Sequence, residues 1–254
     1  MSLPLMKRMK RWRNRLNCDY KADGVGVRNK NTAFLDEARF AAAWRSMLQG
    51  DHGPFRKAKW FNGIVPDIRW RAHLNCWAAE SALSVDGDFV ECGTATGYMA
   101  GTICAYLDFA RITKRFYLFD TYTGIPLTEG MTEGEKAYAT AKNTTQYFDC
   151  FEACGSNFSR YPNVQLVKGL LPASIQTVDI AKIAYLHIDL NNATPEIASA
   201  EVLFPKVSAG GMIVLDDYAA TGHEHQYTEW NRYARSVGHS ILTLPTGQGL
   251  IVKR

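Results

Sequence analysis

Four short apolar stretches of this chain run directly into carboxylates, and that recurrence restricts the fold more than any other feature. Phe89–Cys92 carries Glu91 and leads into Gly93, Phe116–Phe119 ends at Asp120, Ile183–Ile188 ends at Asp189, and Met212–Leu215 ends at Asp216-Asp217. Each stretch is rich in aromatic and β-branched residues and is bounded by turn formers, the pattern of a buried strand. Val164–Val167 reads as a further strand. Helical patterns lie between them: from Tyr98 to about Phe109, along "TPEIASAEVLF" with Pro195 near its start and Glu196 in its first turn, and from Glu224 to Ser236. Strand–helix alternation predicts a mostly parallel, doubly wound α/β sheet with helices on both faces. Gly210-Gly211 reads as the turn before the fifth strand. Ser240–Leu244 and Leu250–Lys253 flank "PTGQG" and read as an antiparallel C-terminal hairpin that closes a seven-stranded sheet. Sheets of this kind bind ligands beyond the carboxyl ends of their strands. The acidic tips should therefore share one edge, where their repulsion costs stability unless a cation or hydrogen-bond donors compensate it.

Residues 86–254 form the predicted sheet domain, and residues 1–85 its basic arm and helical cap. "DEARFAAAWRSML" (36–48) is predicted as a helix with Phe40, Ala43, Trp44 and Leu48 on one face. A second helix is expected from Pro66-Asp67 to about Leu83, with Ile68, Leu74, Trp77, Ala78 and Leu83 as its apolar stripe. The chain has 254 residues, 46% of them hydrophobic and 21% charged, which is an ordinary globular composition with enough length for a sizeable core. The net charge of +4 is concentrated at Lys7, Arg8, Lys10, Arg11, Arg13 and Arg15. That cluster reads as a solvated terminal arm in preference to a nucleic-acid or anionic-membrane contact. No apolar run is long enough to span a bilayer, and no apolar segment of signal-peptide type follows the basic stretch. The six cysteines then read as reduced thiols of a cytoplasmic protein. Cys150 and Cys154 share a helix face without a second metal-ligating pair, so half-buried thiols are expected there and no zinc site.

"FVECGTATGYMAG" puts Gly93 and Gly97 in the first strand-to-helix turn, where glycine permits a tight turn and close approach of a ligand. A dinucleotide fingerprint would need G-x-G-x-x-G, and this loop lacks it, which argues against an NAD-dependent oxidoreductase. Glu91, just ahead of the loop, is a poor neighbour for pyrophosphate but suits a cationic ligand such as a sulfonium or an α-amino group. Asp120 is placed to accept hydrogen bonds from ribose hydroxyls. Asp189, Asp216 and Asp217 end adjacent strands and form an oxygen-rich set suited to a hard divalent cation, Mg2+ rather than Zn2+. Asn191 or Asn192 is a candidate carbonyl ligand. A cation there would hold and acidify a substrate hydroxyl. His187, within a strand, reads as a core residue. His223 and His225, on the rim after the Asp pair, are candidate general bases, and Gln226 and Tyr227 candidate substrate contacts. The long stretch 121–138 reads as an irregular insertion forming part of a lid. Tyr122, Tyr138, Trp60 and Trp70 are candidates to stack on a ring of the acceptor.

Five stretches in order carry a resemblance: "GDFVECGTATGYMAG", "FYLFDTYTGIP", "VKGLLPASI", "AYLHIDLNNATPEIASAEVLFPKVSAGGMIVLDDY" and "LPTGQGLIVK". With them the chain resembles the macrocin O-methyltransferase (TylF-type) family of class I enzymes that use S-adenosyl-L-methionine. The resemblance implies a Rossmann-like fold, methylation of a hydroxyl on a sugar, natural-product or glycan acceptor, and a homodimer as a common state. It implies cofactor contacts at Glu91, Gly93, Thr94, Gly97, Asp120 and Thr121, with Gly169 near the adenine. It also implies Mg2+ held by Asp189, Asp216 and Asp217; Asp189, alone or with His223, is the expected catalytic group that removes or steers the acceptor's proton. Many members have the pattern D-x-D-x-Y after the fourth strand, whereas this chain reads Asp189-Leu190-Asn191-Asn192-Ala193. The amide at Asn191 keeps a second expectation in view, a methyltransferase-like scaffold that binds without turning over.

Overall fold

The computed structural model describes residues 19–53 and 67–254. The basic cluster at residues 7–15, Trp60 and Pro66 lie outside the described residues. The chain opens with an antiparallel hairpin, β1 (Tyr20–Ala22) and β2 (Val25–Val27), turned by Asp23 and Gly24, both at positive φ. That Asp-Gly pair is the expected signature of a two-residue turn whose twist matches its strands.

The main sheet contains β3 (Asp88–Cys92), β4 (Phe116–Asp120), β5 (Val164–Lys168), β6 (Ile183–Ile188), β7 (Val207–Leu215), β8 (Leu242–Thr243) and β9 (Gly249–Val252). Their order is β5-β4-β3-β6-β7-β9-β8, with the first five parallel and the last two antiparallel. The seven-stranded, mostly parallel sheet expected from the sequence is thus present. Strand order reverses between β3 and β6, which opens a crevice at their carboxyl ends. All six residues of β6 are buried, as a central parallel strand covered on both faces requires.

The two-residue period sorts side chains cleanly. Phe89, Phe116, Leu118, Tyr185 and Val214 face one core, beneath α1 (Ala38–Leu48), α2 (Arg69–Ser81) and α3 (Tyr98–Leu107). Val90, Phe119, Leu186, Ile188, Ile213 and Leu215 face the other, beneath α6 (Ala193–Leu203) and α7 (Glu224–Ser236). Of two further helices, α4 (Glu133–Thr145) reaches the open end of the sheet with Tyr138 and Lys142, and α5 (Phe151–Phe158) packs into the first core through Cys154 and Phe158.

Several elements depart from expectation for identifiable reasons. The stretch 121–138 is not wholly irregular, because α4 begins inside it on a reciprocal capping box between Thr132 and Glu135. Of the expected α2 stripe, Ala78 is buried and Ile68, Leu74 and Leu83 pack against the core, whereas Trp77 is 48% exposed; Ala72, Asn75, Cys76 and Ala79 are buried as well. Small residues let α2 lie close to the sheet, and Asn75 accepts a hydrogen bond from the buried Tyr185 hydroxyl at 2.6 Å. Gly210 and Gly211 lie inside β7, not before it, beside a register shift against β6. The helix expected after Pro195 starts at Ala193, since Asn192 caps it through Thr194 N and Pro195 sits in the first turn, where no intrahelical N–H is needed. The strand expected over Ser240–Leu244 is only Leu242–Thr243. Among the described residues the free cysteines Cys76, Cys92, Cys104, Cys150 and Cys154 are all buried. No helix among the described residues is long and apolar enough to cross a membrane.

Candidate active site

The crevice at the strand-order reversal is a single cavity of about 460 Å³. Glu91, Gly93, Thr94, Asp120, Thr121 and Gly169 line one part of it, and Asp189, Asp216 and Asp217 line another. Gly97 and His223 are not among its lining residues.

At the first part, Gly93 follows β3 where the chain passes under the end of β6. A Cβ at Gly93 would stand 1.8 Å from the Asp189 carbonyl oxygen, and its φ is +88°. The loop's glycine is therefore demanded by the sheet itself as well as by ligand approach. Gly97 has a similar constraint, with a Cβ meeting the Phe158 ring at 2.3 Å, so its absent side chain serves helix packing. The loop amides do not all await an anion from outside. Asp120 accepts hydrogen bonds from Ala95 N and Tyr122 N, both at 2.7 Å. Burial raises the Asp120 carboxyl above its ordinary range, and these backbone donors oppose that rise. A loop already neutralised by its own carboxylate is poorly suited to pyrophosphate. Three buried polar atoms on the cavity wall lack a protein partner: Glu91 Oε2, Thr94 Oγ1 and Asn192 Nδ2. Unsatisfied buried groups cost about 1–3 kcal/mol each, so this wall is built for a polar ligand.

His187 is fully buried in its strand, as expected of a core residue, but its neighbours there are carboxylates. Period-2 register puts Glu91 and His187 side by side on β3 and β6, on the face that also carries Asp216 past the end of β7. His187 Nδ1 donates to Glu91 Oε1 at 2.9 Å, and its Nε2 lies 3.7 Å from Asp216 Oδ1. Burial alone would lower the imidazole pKa, but Asp216 and Glu91 raise it to about 10. His187 is thus buried between a carboxylate of each part of the cavity, and their charges favour its protonated form, although Nε2 itself has no hydrogen-bond partner among the described residues.

In the second part, ligand oxygens of Asp189, Asp216 and Asp217 lie within 4.8 Å of one another. Arg71 Nη1 donates to Asp216 Oδ2 at 2.7 Å and to Asp217 Oδ1 at 3.0 Å, while its Nε donates to Asp23 Oδ2 at 2.6 Å. Burial would raise Asp216, but Arg71 and His187 hold it well below the usual carboxylate range. Asp189 behaves oppositely: burial and the adjacent Asp216 and Asp217 carboxylates push it well above that range. Asn191 Nδ2 donates to Asp189 Oδ1 at 2.9 Å, and its Oδ1 accepts from the Tyr138 hydroxyl at 3.0 Å. The Asn192 oxygen accepts from Thr194 N, so each of the two candidate amide oxygens already takes one hydrogen bond.

His223 Nε2 lies 3.8 Å from Asp217 Oδ2, and its Nδ1 is hydrogen-bonded to Gln226 Oε1. Gln226 Nε2 donates to Glu196, so the Gln226 oxygen is the acceptor and Nδ1 of His223 carries the proton. Gln226 is buried and orients His223 instead of touching a substrate. Burial raises the Glu196 carboxyl to about 8 despite hydrogen bonds from Trp230, Leu190 and Gln226. His225 is engaged by Glu135 at 3.1 Å, away from the cavity wall. Tyr227 is 45% exposed and packs against Tyr218. Of the described candidate stacking residues, only Tyr138 lines the cavity. Tyr122 is fully buried and donates to Leu118 O, and Trp70 packs against Tyr20 and Phe34.

Sequence reasoning missed Arg71, Asp23, Lys142 and Gln146, all on the cavity wall. Tyr138 and Lys142 on α4 and its C-cap Gln146 recur at four-residue spacing, and the Thr132–Glu135 capping box would have revealed that helix. Nothing near Arg71 in the sequence announces its partners, Asp23 at 48 residues' distance and Asp216 and Asp217 at 145 and 146.

Comparison with known proteins sharpens this. The macrocin-O-methyltransferase (TylF) family model matches residues 62–245. The chain belongs to that family. Among solved structures, the O-methyltransferase NovP is similar at 19% identity with a TM-score of 0.66, over 87% of this chain and 98% of its own. CalS11, a calicheamicin methyltransferase, is similar at 17% identity and a TM-score of 0.51, over 84% and 91%. The methyltransferase PaMTH1 of Podospora anserina, solved with SAH bound, gives 12% identity and a TM-score of 0.51 over 100% and 97%. At these identities the structures establish the class I methyltransferase fold, and family membership rests on the model match. A search of curated proteins finds no significant match.

Proposed function

We propose that this chain transfers a methyl group from S-adenosyl-L-methionine to a hydroxyl of a sugar, natural-product or glycan acceptor. The observation that carries this reading is the single cavity in which Glu91 and Asp120 share walls with Asp189, Asp216 and Asp217. A cationic, ribose-bearing donor suits the first group, and a hydroxyl that must lose a proton suits the second.

S-adenosylmethionine supplies an electrophilic methyl on a sulfonium. The Glu91 oxygen left without a partner is the acceptor for its α-amino group, and Asp120, fixed by Ala95 and Tyr122, receives the ribose hydroxyls. Gly93, Thr94 and Gly97 shape the loop beside the amino-acid portion, Thr121 supports Asp120, and Gly169 leaves room beside the adenine. Asp189, which lines the cavity beside the acidic pair, takes the acceptor's proton alone or with His223. His223, with Nε2 turned toward Asp217, is the second proton acceptor at the rim. Alignment of oxygen, methyl and sulfur in a closed cavity supplies most of the rate. The all-oxygen set Asp189, Asp216 and Asp217 fits Mg2+, which would position and acidify the hydroxyl. Tyr138 and Lys142 on α4 and its C-cap Gln146 form the wall that selects the acceptor.

The test is S-adenosylhomocysteine release across a panel of glycosylated acceptors, with and without EDTA. Turnover with a hydroxylated acceptor supports the assignment. Cofactor binding without turnover on any acceptor would favour a binding scaffold, for which Asn191 is the motivating residue. Binding of NAD in place of S-adenosylhomocysteine would overturn the assignment.

A further inference from the structure

Arg71 brings a full positive charge into the acidic cluster from within the chain. Its guanidinium is on the cavity wall and only 13% exposed, and one nitrogen spans Asp216 Oδ2 and Asp217 Oδ1. Those are two of the three carboxylates that fit a divalent cation. Mg2+ needs its oxygens at about 2.0–2.1 Å and tolerates little distortion. A guanidinium nitrogen at 2.7 and 3.0 Å from one oxygen of each of these carboxylates already takes a lone pair of each and repels a second cation. The side chain also has a second anchor, because Asp23 on the turn of the first hairpin holds Nε at 2.6 Å. Asp23 lines the cavity too, so the guanidinium can withdraw from Asp216 and Asp217 without leaving a carboxylate partner.

We propose that Arg71 is a resident counter-ion of the cluster, and that a divalent cation binds only by displacing it toward Asp23. This rests on the metal reading of Asp189, Asp216 and Asp217 given above. The cluster then has two neutralised states, one closed by α2 and one by metal, and metal affinity is set by the competition between them. A lysine at the same place makes a weaker competitor, since an ammonium is a point charge without the guanidinium's fork of donors.

The experiment is Mn2+ titration of the full chain, read by electron paramagnetic resonance of the free ion, for wild type, R71Q, R71K and R71Q/D217N. Folding of each variant is checked by circular dichroism. R71Q is expected to bind Mn2+ at least tenfold tighter than wild type, R71K three- to fivefold tighter, and R71Q/D217N to lose the gain. Mn2+ binding by wild type that R71Q does not tighten overturns the counter-ion role while leaving the metal site standing. No Mn2+ binding by wild type or R71Q overturns both. Should R71Q fail to fold, R71K decides: affinity equal to or weaker than wild type refutes the competition.

Discussion

Replacing His187 with Gln tests the electrostatic link between the two parts of the cavity. The imidazolium is fully buried between Glu91 Oε1 at 2.9 Å and Asp216 Oδ1 at 3.7 Å. Glutamine keeps a donor but removes the charge, leaving two buried carboxylates with less compensation. Breaking a buried ion pair in this way costs about 3–5 kcal/mol. The proton affinity gives an independent figure. The imidazole pKa is raised from 6.5 to about 10, and each tenfold step is worth about 1.36 kcal/mol, so the proton contributes on the order of 4 kcal/mol at pH 7. For a chain of this size the midpoint should fall by roughly 6–20 °C. The sign follows from linkage. A raised pKa stabilises fully below about 6.5, and that stabilisation disappears as pH rises through about 10. Urea denaturation followed by circular dichroism, in EDTA from pH 6 to 10, should show a wide gap between wild type and His187→Gln at neutral pH that narrows toward pH 10. A gap under about 1 kcal/mol at pH 7, or one that stays constant with pH, would refute the buried-imidazolium account.

Three further outcomes are expected. Gly93→Ala forces a Cβ onto the Asp189 carbonyl oxygen at 1.8 Å and should destabilise the fold by more than about 3 kcal/mol; near-native stability in the same denaturation assay would show that β3 and β6 can part there. Asp120→Asn loses an ionised acceptor for two backbone amides, so calorimetry should find S-adenosylhomocysteine bound at least tenfold more weakly, with about 1–3 kcal/mol of stability lost. Lys142→Met removes a cavity-wall cation that burial pulls below its ordinary pKa and that faces Asp217 and Asp189, so the acceptor KM should rise several-fold while the cofactor Kd stays within about twofold.

The sheet could be read from the chain because its determinants are local and repeated. Ile183–Ile188 is apolar apart from His187 and is covered on both faces, and Phe116–Phe119 alternates between two cores without leaving either. The acidic tips were visible because strands end where apolar runs end. What escaped depends on contacts distant in sequence. His187 is a core residue in its strand, and only register reveals that Glu91 and Asp216 flank it. Arg71 sits in a helix whose stripe was misjudged by one side chain, Trp77, because small residues carry less apolar signal than their close packing deserves. The β1–β2 hairpin and α4 were legible and overlooked: Asp23-Gly24 and the Thr132–Glu135 box are local signals set in polar surroundings.

A crystal structure of the chain with S-adenosylhomocysteine and Mn2+ confronts the whole scheme at once. The expected density has the nucleoside's amino group at Glu91 Oε2 and its ribose at Asp120. It has the metal on Asp189, Asp216 and Asp217, with Arg71 drawn back to Asp23. The space between sulfur and metal is left open for an acceptor oxygen. A nucleoside lodged outside this cavity, or turned so that its sulfur points away from Asp189, would contradict methyl transfer at this site.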